Sequence, residues 1–513
     1  MKRGRYMSKV LQSASILFIA TIISKVVGFL RDLVIGYVYG IGVISDSYLM
    51  ALNIITVAFI SLLCVAIQST YMPIYTDIEG KEGKQKALKF TSNIINIIFI
   101  ISLIVVVLGW FFTEPLVKLF ATGFEGEKLK LTMELTRILL FSVGLVCITY
   151  ILKAYLEIHD YFLVTGLMPL PYNTSIIIAV LLSKAFGVDF LAYGTVFAFF
   201  VQMAFLIPFC YKKGFRYKFN INLFDKNVKQ MALAIFPVLI GASAYQINSL
   251  VDKNLSSFLV TGSLSALNYA YKLNIFVIGV FVASITTVMY PIFSKLGAQK
   301  NLKQLKITLC KSVNGVILIT MPISVGAFIL SKPIVKLLFE RGAFDETATL
   351  ITAQILSCYA IGMVASGMRD ILIRVFYSLQ DTKIPMKNSI LCVICNILFN
   401  LILIQTMKVS GLALGSSLAA IVAVCFLIIK LRKKIGKFNV MSILITLLKT
   451  FIASCLMAFI VLKLFAKISL ISEFLALAVS VSIGAIAYGI IVLILKVDST
   501  DYIINIVKSK IIK

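Results

Sequence analysis

Two stretches of the chain, YMPIYTDIEGKEGKQKALKF at residues 71–90 and VMYPIFSKLGAQKNLKQLKI at residues 288–307, resemble each other. A second pair, EPLVKLF at 114–120 and KPIVKLL at 332–338, lies at the same offset of 218 residues. Apolar segments match by chance easily, but prolines, lysines and glycines at one constant spacing do not. Four residue pairs keep this spacing: Pro73 and Pro291, Pro115 and Pro333, Lys118 and Lys336, and Gly144 and Gly362. The pattern predicts an internal duplication.

The composition around these repeats is that of a membrane protein. Of the 513 residues, 60% are apolar and 14% are charged, whereas soluble proteins contain about 45–50% and about 25% respectively. A helix needs about 20 apolar residues to cross the hydrocarbon core. We therefore predict an all-α polytopic membrane protein with fourteen transmembrane helices, at 10–39, 46–76, 88–112, 131–156, 162–184, 188–210, 230–258, 263–294, 307–330, 347–377, 384–406, 410–430, 441–466 and 468–496.

The basic residues indicate the orientation of these helices. Lysine and arginine exceed aspartate and glutamate by 49 to 22, for a net charge of +27. They concentrate in alternate connections, at residues 2–9, 81–89, 212–229, 295–306, 430–437 and 508–513. Because cytoplasmic loops carry such an excess, we predict that both termini are cytoplasmic. The charge then belongs to membrane topology, and we expect no nucleic-acid partner.

The duplication predicts two lobes. Six helices per copy is an even number, so both copies have the same orientation and are related by an axis along the membrane normal. We predict an N-lobe at residues 1–222 (helices 1–6) and a C-lobe at 223–438 (helices 7–12). Residues 439–513 then hold helices 13 and 14 and a C-terminal tail. A substrate site is expected between the lobes, near mid-depth.

Three charged residues interrupt the first apolar helix: Lys25, Arg31 and Asp32. A charge at the bilayer centre costs about 2.5–3.5 kcal/mol on insertion scales, so such residues usually face a polar interior. Lys25 and Asp32 share one helix face, whereas adjacent residues such as Arg31 and Asp32 do not face each other. We therefore expect a different partner for one of them, with Asp46 in helix 2 as a candidate. The alternative is a purely structural ion pair.

Helices 2, 7 and 8 contribute further polar side chains at a similar depth, among them Asn53. Together with helix 1 they provide four cations and three acids: Lys25, Arg31, Lys253, Lys272, Asp32, Asp46 and Asp252. The excess of cations predicts a cavity that attracts a phosphate or pyrophosphate group. We assign substrate binding to the cations and Asn53, and coupling or gating to the acids. The alternative for Asp252 and Lys253 is that they extend to the membrane interface.

Helix 10 carries Arg369, Asp370 and Arg374 in its inward-going half. We assign them to coupling or gating at the inner side, with a structural network as the alternative. Helix 5 contains MPLPYN at residues 168–173, and its two prolines predict a break in the helix.

The sequence contains no motif for ATP hydrolysis or for metal-dependent catalysis. It lacks G-x-x-x-x-G-K-[ST] and H-E-x-x-H, and it has one histidine. Cys392 and Cys395 form a C-x-x-C, but within one predicted helix and without a second pair. We predict no metal, no cofactor and no enzymatic activity. A secondary transporter or flippase fits best, with possible coupling to the membrane potential or an ion gradient.

Several motifs resemble the MurJ/MviN family of lipid II flippases, within a superfamily that also contains drug exporters. They are ISKVVGFLRDLVIGYVYGIGVISDSY (23–48), LVDKNLSSFL (250–259), LNYAYKLN (267–274) and RDILIRVFYSLQDTKIP (369–385). The resemblance implies translocation of undecaprenyl-pyrophosphate-linked peptidoglycan precursor to the outer leaflet of the bacterial plasma membrane, by alternating access. It also implies membrane lipids and the cell-wall synthesis machinery as partners.

The residue match to this family is mixed. Arg31, Asp32 and Asp46 correspond to family residues, whereas Lys25 and Lys272 stand where the family has arginine, and Phe59 lies near the place of another. Lysine keeps the charge but lacks the bidentate geometry of arginine. Two other transport functions therefore stay open: a flippase for another polyprenyl-linked oligosaccharide, and a cation-coupled drug exporter. A membrane scaffold for wall synthesis is a further alternative.

Overall fold

The computed structural model describes the backbone of residues 2–497 and the side chains of residues 20–239, 246 and 249–497. Within this part of the chain the regular structure is helical throughout, and two helices contain π-helical segments. The side chains of the basic cluster at 2–9 and the whole cluster at 508–513 lie outside the described residues. The prediction that both termini are cytoplasmic rests partly on these clusters.

The helix bounds are as follows. The first ten helices are α1 Lys2–Tyr39, α2 Val43–Ile55, α3 Val65–Glu82, α4 Lys84–Phe111, α5 Thr113–Phe120, α6 Gly126–Leu140, α7 Ser142–Ile158, α8 Phe162–Leu167, α9 Pro169–Phe186 and α10 Val188–Lys212. The remaining helices are α11 Lys226–Ser257, α12 Ser263–Val277, α13 Ala283–Ala298, α14 Leu302–Ile329, α15 Ser331–Phe339, α16 Glu346–Ser378, α17 Lys383–Ile435, α18 Val440–Ile468 and α19 Glu473–Ile494.

The helices have the length and composition of membrane spans. Three of the spans join labelled helices: α2 with α3, α8 with α9, and α12 with α13. Counted in this way, ten helices in the described part of the chain are long and apolar enough to cross a bilayer. The number is eleven if α6 and α7, which meet at a 42° bend, form one span. The helices α1 and α11 lie at two further predicted positions. The helix α17 is interrupted at Lys408, whose φ of 50° and ψ of −129° are not helical, between the predicted spans 384–406 and 410–430. The chain is a multi-pass membrane protein.

The 218-residue offset of the sequence is also present in the helix bounds. The helices α4 and α14 begin and end 218 residues apart, and the same spacing separates the first residues of α3 and α13 and of α5 and α15. A π-helical segment lies directly before α3, at Thr56–Cys64, and another directly before α13, at Ile278–Val282. Each precedes a proline inside the following helix, Pro73 or Pro291. The duplicated sequence therefore folds into duplicated local structure.

The chain packs as two compact units. Of the residues that the structure describes, the first unit contains 2–265 together with Arg341–Phe344, and the second contains Ala266–Glu340 and 345–497. The first unit includes α11, which the repeat places in the C-lobe. The helix α11 packs against α3, α4, α5 and the π-helical segment before α3, and Ser257 Oγ near its end accepts a hydrogen bond from the Gly123 N–H at 2.9 Å. The lobes predicted from the repeat and these packing units are different divisions, and the lobe division stays a prediction.

Buried aromatic and aliphatic side chains fill the two units. In the first, Tyr71 donates to or accepts from Thr91 at 2.7 Å, and Tyr75 packs edge-on against Tyr155 with ring centroids 5.7 Å apart. In the second, one apolar cluster is formed mainly by α13, α14, α16, α17 and the start of α18. Tyr488 of α19 donates to the Leu318 carbonyl at 2.8 Å. The buried hydroxyls of Tyr71 and Tyr488 therefore have partners, as an apolar surrounding favours, whereas the Tyr75 hydroxyl finds none among the described residues.

The family-like segment FYSLQDTKIP (376–385) is a helix-to-helix turn. The Asp381 carboxylate accepts hydrogen bonds from the N–H groups of Lys383 and Ile384, both at 3.1 Å, and pairs with the ammonium group of Lys434. Burial raises the pKa of Asp381, but these hydrogen bonds and the Lys434 charge outweigh it and lower the pKa below the ordinary value of 3.8. Asp381 thus closes the turn at the start of α17.

This geometry predicts a pH-dependent stability difference between the wild-type protein and Asp381→Asn. Because the folded-state pKa lies below the unfolded one, the ionised carboxylate contributes its full stability above about pH 4. That contribution is lost as the pH falls through the lowered pKa. We expect Asp381→Asn to lower the apparent melting temperature in detergent at pH 7, and the difference to shrink on acidification. Asp77→Asn, which removes an exposed pair with Lys81, is the matched control and should change little. A difference that is constant down to pH 3 would contradict the assignment.

Candidate functional site

Arg31 and Asp32 form a buried ion pair on α1. The Nη2 and Nε atoms of Arg31 lie 2.7 Å and 3.0 Å from Oδ1 of Asp32, and the two side chains are 13% and 6% exposed. Nη1 of Arg31 donates to Oδ1 of Asn173 at 3.1 Å. The guanidinium also lies 6.0 Å from the ring centroid of Tyr172. The charge of Arg31 is therefore shared by a carboxylate, an amide and an aromatic face.

The prediction that Arg31 and Asp32 do not face each other is wrong. The rule on helix spacing describes the directions in which adjacent side chains leave the backbone. The three methylene groups of arginine let the guanidinium fold back onto the neighbouring carboxylate. A low-dielectric surrounding favours this geometry, because an unpaired charge there is costly.

The break in helix 5 places the other partners of Arg31. The helix ends at Leu167 and restarts at Pro169, as the two prolines predict. The restart sets Tyr172 and Asn173 in the first turn of α9, next to α1. Asn173 lies next to Gly28 of α1, where a Cβ atom would be 3.4 Å from Nδ2 of Asn173, an ordinary van der Waals distance. The sequence indicated the break, but not that its polar residues contact Arg31.

Asp46 binds partners other than Arg31. Its fully buried carboxylate pairs with Nζ of Lys128 at 2.6 Å. It also accepts hydrogen bonds from the N–H groups of Gly262 and Ser265, both at 2.8 Å, and from the Ser265 hydroxyl at 2.7 Å. Lys128 in turn lies 4.1 Å from the ring centroid of Phe124. Asp46 therefore holds the turn that follows α11, and Lys128 is a site residue that sequence reasoning missed.

Lys253 and Asn53, two of the predicted substrate-binding residues, lie in contact. The Lys253 ammonium group donates to Oδ1 of Asn53. Asn53 is 5% exposed, and its buried Nδ2 finds no acceptor among the described residues. Asp252, adjacent to Lys253, is half-buried on the same helix. The structure thus joins two predicted substrate-binding residues that lie 200 positions apart in the sequence, and their role in binding stays a prediction.

Lys25 and Lys272 are placed differently. The Lys25 side chain is exposed on α1, although it shares a helix face with the buried Asp32. Lys272 is half-buried on α12, in the second packing unit. The shared cavity predicted for the four cations stays a prediction.

Arg369, Asp370 and Arg374 are half-buried on α16. Nη1 of Arg369 lies 3.6 Å from Sγ of Cys392, and its buried Nε–H finds no acceptor in the described chain. The guanidinium of Arg374 lies 5.5 Å from the ring centroid of Tyr290. These contacts place the cluster against α13 and α17, and they are compatible with both the gating and the structural alternative.

The fold is that of a multi-pass membrane transporter. An inward-facing multidrug transporter of the MATE family superposes on the chain with a TM-score of 0.67 at 14% identity, covering 80% of this chain and 94% of that one. At this identity the likeness concerns the fold alone.

The family is defined by closer matches. Residues 35–494 match the family model described as lipid II flippase MurJ, and the chain belongs to this family. A solved structure titled lipid II flippase MurJ, inward closed conformation, has a TM-score of 0.81 at 27% identity and covers 94% of this chain and 99% of that one. The probable lipid II flippase MurJ of Thermotoga maritima is 27% identical over 95% of this chain and 97% of its own length. The corresponding protein of Buchnera aphidicola subsp. Schizaphis graminum is 28% identical over 83% and 84%.

The Asp46–Lys128 pair predicts a strong coupling between two substitutions. Lys128→Met leaves the buried Asp46 carboxylate without its counter-ion, and breaking a buried pair in this way costs about 3–5 kcal/mol. Adding Asp46→Asn removes the uncompensated charge, so we expect the double variant to regain much of the lost apparent melting temperature. Lys118→Met is the control, because its partner Glu114 is about half exposed and such pairs contribute about 0–1 kcal/mol. Additive effects of the two single substitutions would contradict this assignment.

Proposed function

We propose that this chain translocates lipid II, the undecaprenyl-pyrophosphate-linked peptidoglycan precursor, from the cytoplasmic to the outer leaflet for cell-wall synthesis. The observation that carries the proposal is the family match over residues 35–494. The relatives and the solved structure described above bear the name lipid II flippase. Lipid II is thus the proposed substrate, and the plasma membrane is the place of action.

The proposed topology has fourteen transmembrane helices, with both termini in the cytoplasm. Three features support it: the helices at the predicted positions, the interruption of α17 at Lys408, and the basic residues in alternate connections. The 218-residue offset in the helix bounds supports two homologous lobes. We further propose that the lobes rock about a substrate site between them, as in other transporters built from repeats.

The proposed headgroup site uses Lys25, Arg31, Lys253, Lys272 and Asn53. Lysine and arginine bind phosphate groups through charge-assisted hydrogen bonds. Arg31 and Lys253 have protein partners that a pyrophosphate would replace or share, because Arg31 is bound to Asp32 and Lys253 to Asn53. Exchange of such partners would let substrate binding alter the contacts between helices. The exposed Lys25 needs no such exchange.

The acids are proposed to act in coupling rather than in substrate binding. Asp32 would hold the charge of Arg31 when no pyrophosphate is bound, and Asp252 lies beside Lys253. Asp46 would keep the turn after α11 in place, and the α16 cluster of Arg369, Asp370 and Arg374 would act at the inner side. The membrane potential or an ion gradient would reset the cycle. The prenyl chain would stay in lipid, since each buried CH₂ is worth about 0.8 kcal/mol.

A flippase for another polyprenyl-linked oligosaccharide is the second candidate function. It is favoured by lysine at positions 25 and 272, where the family has arginine, because lysine binds phosphate as a point charge. Phe59, which lies near the place of another family arginine, also favours this second candidate function, because it carries no charge. That side chain lies in the first π-helical segment.

The test is a flipping assay in proteoliposomes with labelled lipid II. We expect Lys25→Gln and Lys272→Gln each to reduce flipping about 10-fold or more, because a hydrogen bond to a charged group is worth about 1.5–3 kcal/mol. Lys25→Arg and Lys272→Arg should keep the activity. Lys433→Gln, which removes an exposed charge at the end of α17, is the matched control.

Two outcomes would contradict these assignments. Flipping at the wild-type rate by both glutamine variants would show that Lys25 and Lys272 do not hold the headgroup. A wild-type chain that flips another undecaprenyl-pyrophosphate saccharide but not lipid II would favour the second candidate. Rescue of a strain depleted of its own lipid II flippase separates a flippase from a scaffold or drug exporter.

A further inference from the structure

The broken helix 5, formed by α8 and α9, contacts α1 on both sides of its break. Before the break, Oγ of Ser24 donates to the Gly166 carbonyl at 2.8 Å. After the break, Nη1 of Arg31 donates to Oδ1 of Asn173 at 3.1 Å. Both pairs are 142 residues apart in the sequence, so helix 5 keeps one register along α1 across the break. The second of these contacts joins helix 5 to a residue of the proposed headgroup site.

The carbonyl groups beside the break have donors other than Asn173. The Gly166 carbonyl accepts from α1 as described, and the Met168 carbonyl accepts from Nε2 of Gln202 on α10 at 3.4 Å. Backbone groups freed inside a membrane helix require such partners. Asn173 is 4% exposed, and its one hydrogen bond to a described side chain goes to Arg31. The contact with Arg31 is therefore not needed to satisfy the broken backbone.

The guanidinium group of Arg31 is held at both ends. Asp32 accepts from Nε and Nη2, and Asn173 accepts from Nη1. A planar guanidinium with partners at both ends cannot rotate without losing a hydrogen bond. These bonds use three of its five N–H groups, and Tyr172 lies beside the same group, so at least one N–H is left for a further acceptor. The Arg31 side chain is 13% exposed, so a ligand can reach it.

An amide is the suitable acceptor at this position. The charges of Arg31 and Asp32 already cancel, and a second carboxylate would give the group a net negative charge that repels a phosphate. An amide oxygen orients the guanidinium without adding charge. The break supplies this amide, because the restart at Pro169 puts Asn173 in the first turn of α9, next to α1.

We propose that Asn173 is a positioning residue of the headgroup site. It holds Nη1 of Arg31 so that a remaining N–H group of the guanidinium donates to a phosphate oxygen of the substrate. This inference rests on the proposed function, because it deepens the role of Arg31 in that site. Asn173 acts through Arg31 and does not itself touch the substrate. Its effect depends on the fork geometry of arginine, which lysine lacks.

The first experiment measures flipping of labelled lipid II in proteoliposomes, as the maximal rate and as the lipid II content that gives half of it. Asn173→Leu removes the acceptor at nearly constant volume. We expect the half-saturating content to rise about tenfold, which is the lower end of what a hydrogen bond to a charged group contributes. The maximal rate should change little, because the substitution weakens binding and not a later step. Ser24→Ala is the matched control, because it removes the other contact between α1 and helix 5 and should keep the half-saturating content.

The second experiment repeats the substitution in an Arg31→Lys background. Because an ammonium group has no fork to orient, Asn173→Leu should then change the half-saturating content less than about twofold. A residue that only packs helices gives the same fold change in both backgrounds, and that result would overturn the proposal. Apparent melting temperatures identify the folded variants, and Asn173→Ser replaces the leucine variant if that one does not fold.

The outcomes distinguish the positioning role from the proposed function. An unchanged half-saturating content in the folded Asn173 variants, together with a loss of flipping in Arg31→Gln, would refute the positioning role and leave Arg31 in the headgroup site. Wild-type flipping by Arg31→Gln would remove Arg31 from that site, and the proposal with it. If the chain flips another undecaprenyl-pyrophosphate saccharide and not lipid II, the same variants are measured with that lipid, because the pyrophosphate group is shared.

Discussion

The high cost of an unpaired charge in hydrocarbon is the constraint on which the interior of this protein depends. The fold satisfies it locally at Arg31, whose guanidinium is held by Asp32 and Asn173. At Asp46 the fold satisfies the same constraint with residues far away in the sequence, because the carboxylate pairs with Lys128 and accepts from two backbone N–H groups. A buried charge with a full set of partners can remain ionised. The proposed function requires further that such a charge changes partners when a competing charge arrives.

An interruption in a helix supplies one of these partners. The restart of helix 5 at Pro169 brings Asn173 to Arg31, and the π-helical segments stand at equivalent positions of the duplicated sequence. In a membrane helix, freed backbone groups and side chains are tolerated where protein or a cavity satisfies them. The break before Pro169 therefore brings a polar side chain to a charge inside an apolar fold.

The candidate site could be predicted only in part. The sequence marked Arg31 and Asp32 as charges inside an apolar helix, and it assigned Lys253 and Asn53 to one site without predicting their contact; the substrate role of these residues stays a prediction. The expectation that Arg31 and Asp32 point apart was wrong, because helix spacing describes the start of a side chain and not its reach. Lys128 was missed since it lies in a short amphipathic helix after α5, where a lysine has no distinctive pattern.

The amino-acid sequence by itself determined the class of the protein, the positions of its apolar helices, the break at 168–173 and the 218-residue duplication. These properties depend on local length, hydropathy and backbone chemistry. Only the tertiary structure decided that Asp46 holds the turn at Gly262, that α11 packs with the first unit, and that Asn314 of α14 donates to the Ser442 hydroxyl of α18. Such contacts join residues far apart in the chain, and their formation depends on how whole helices pack.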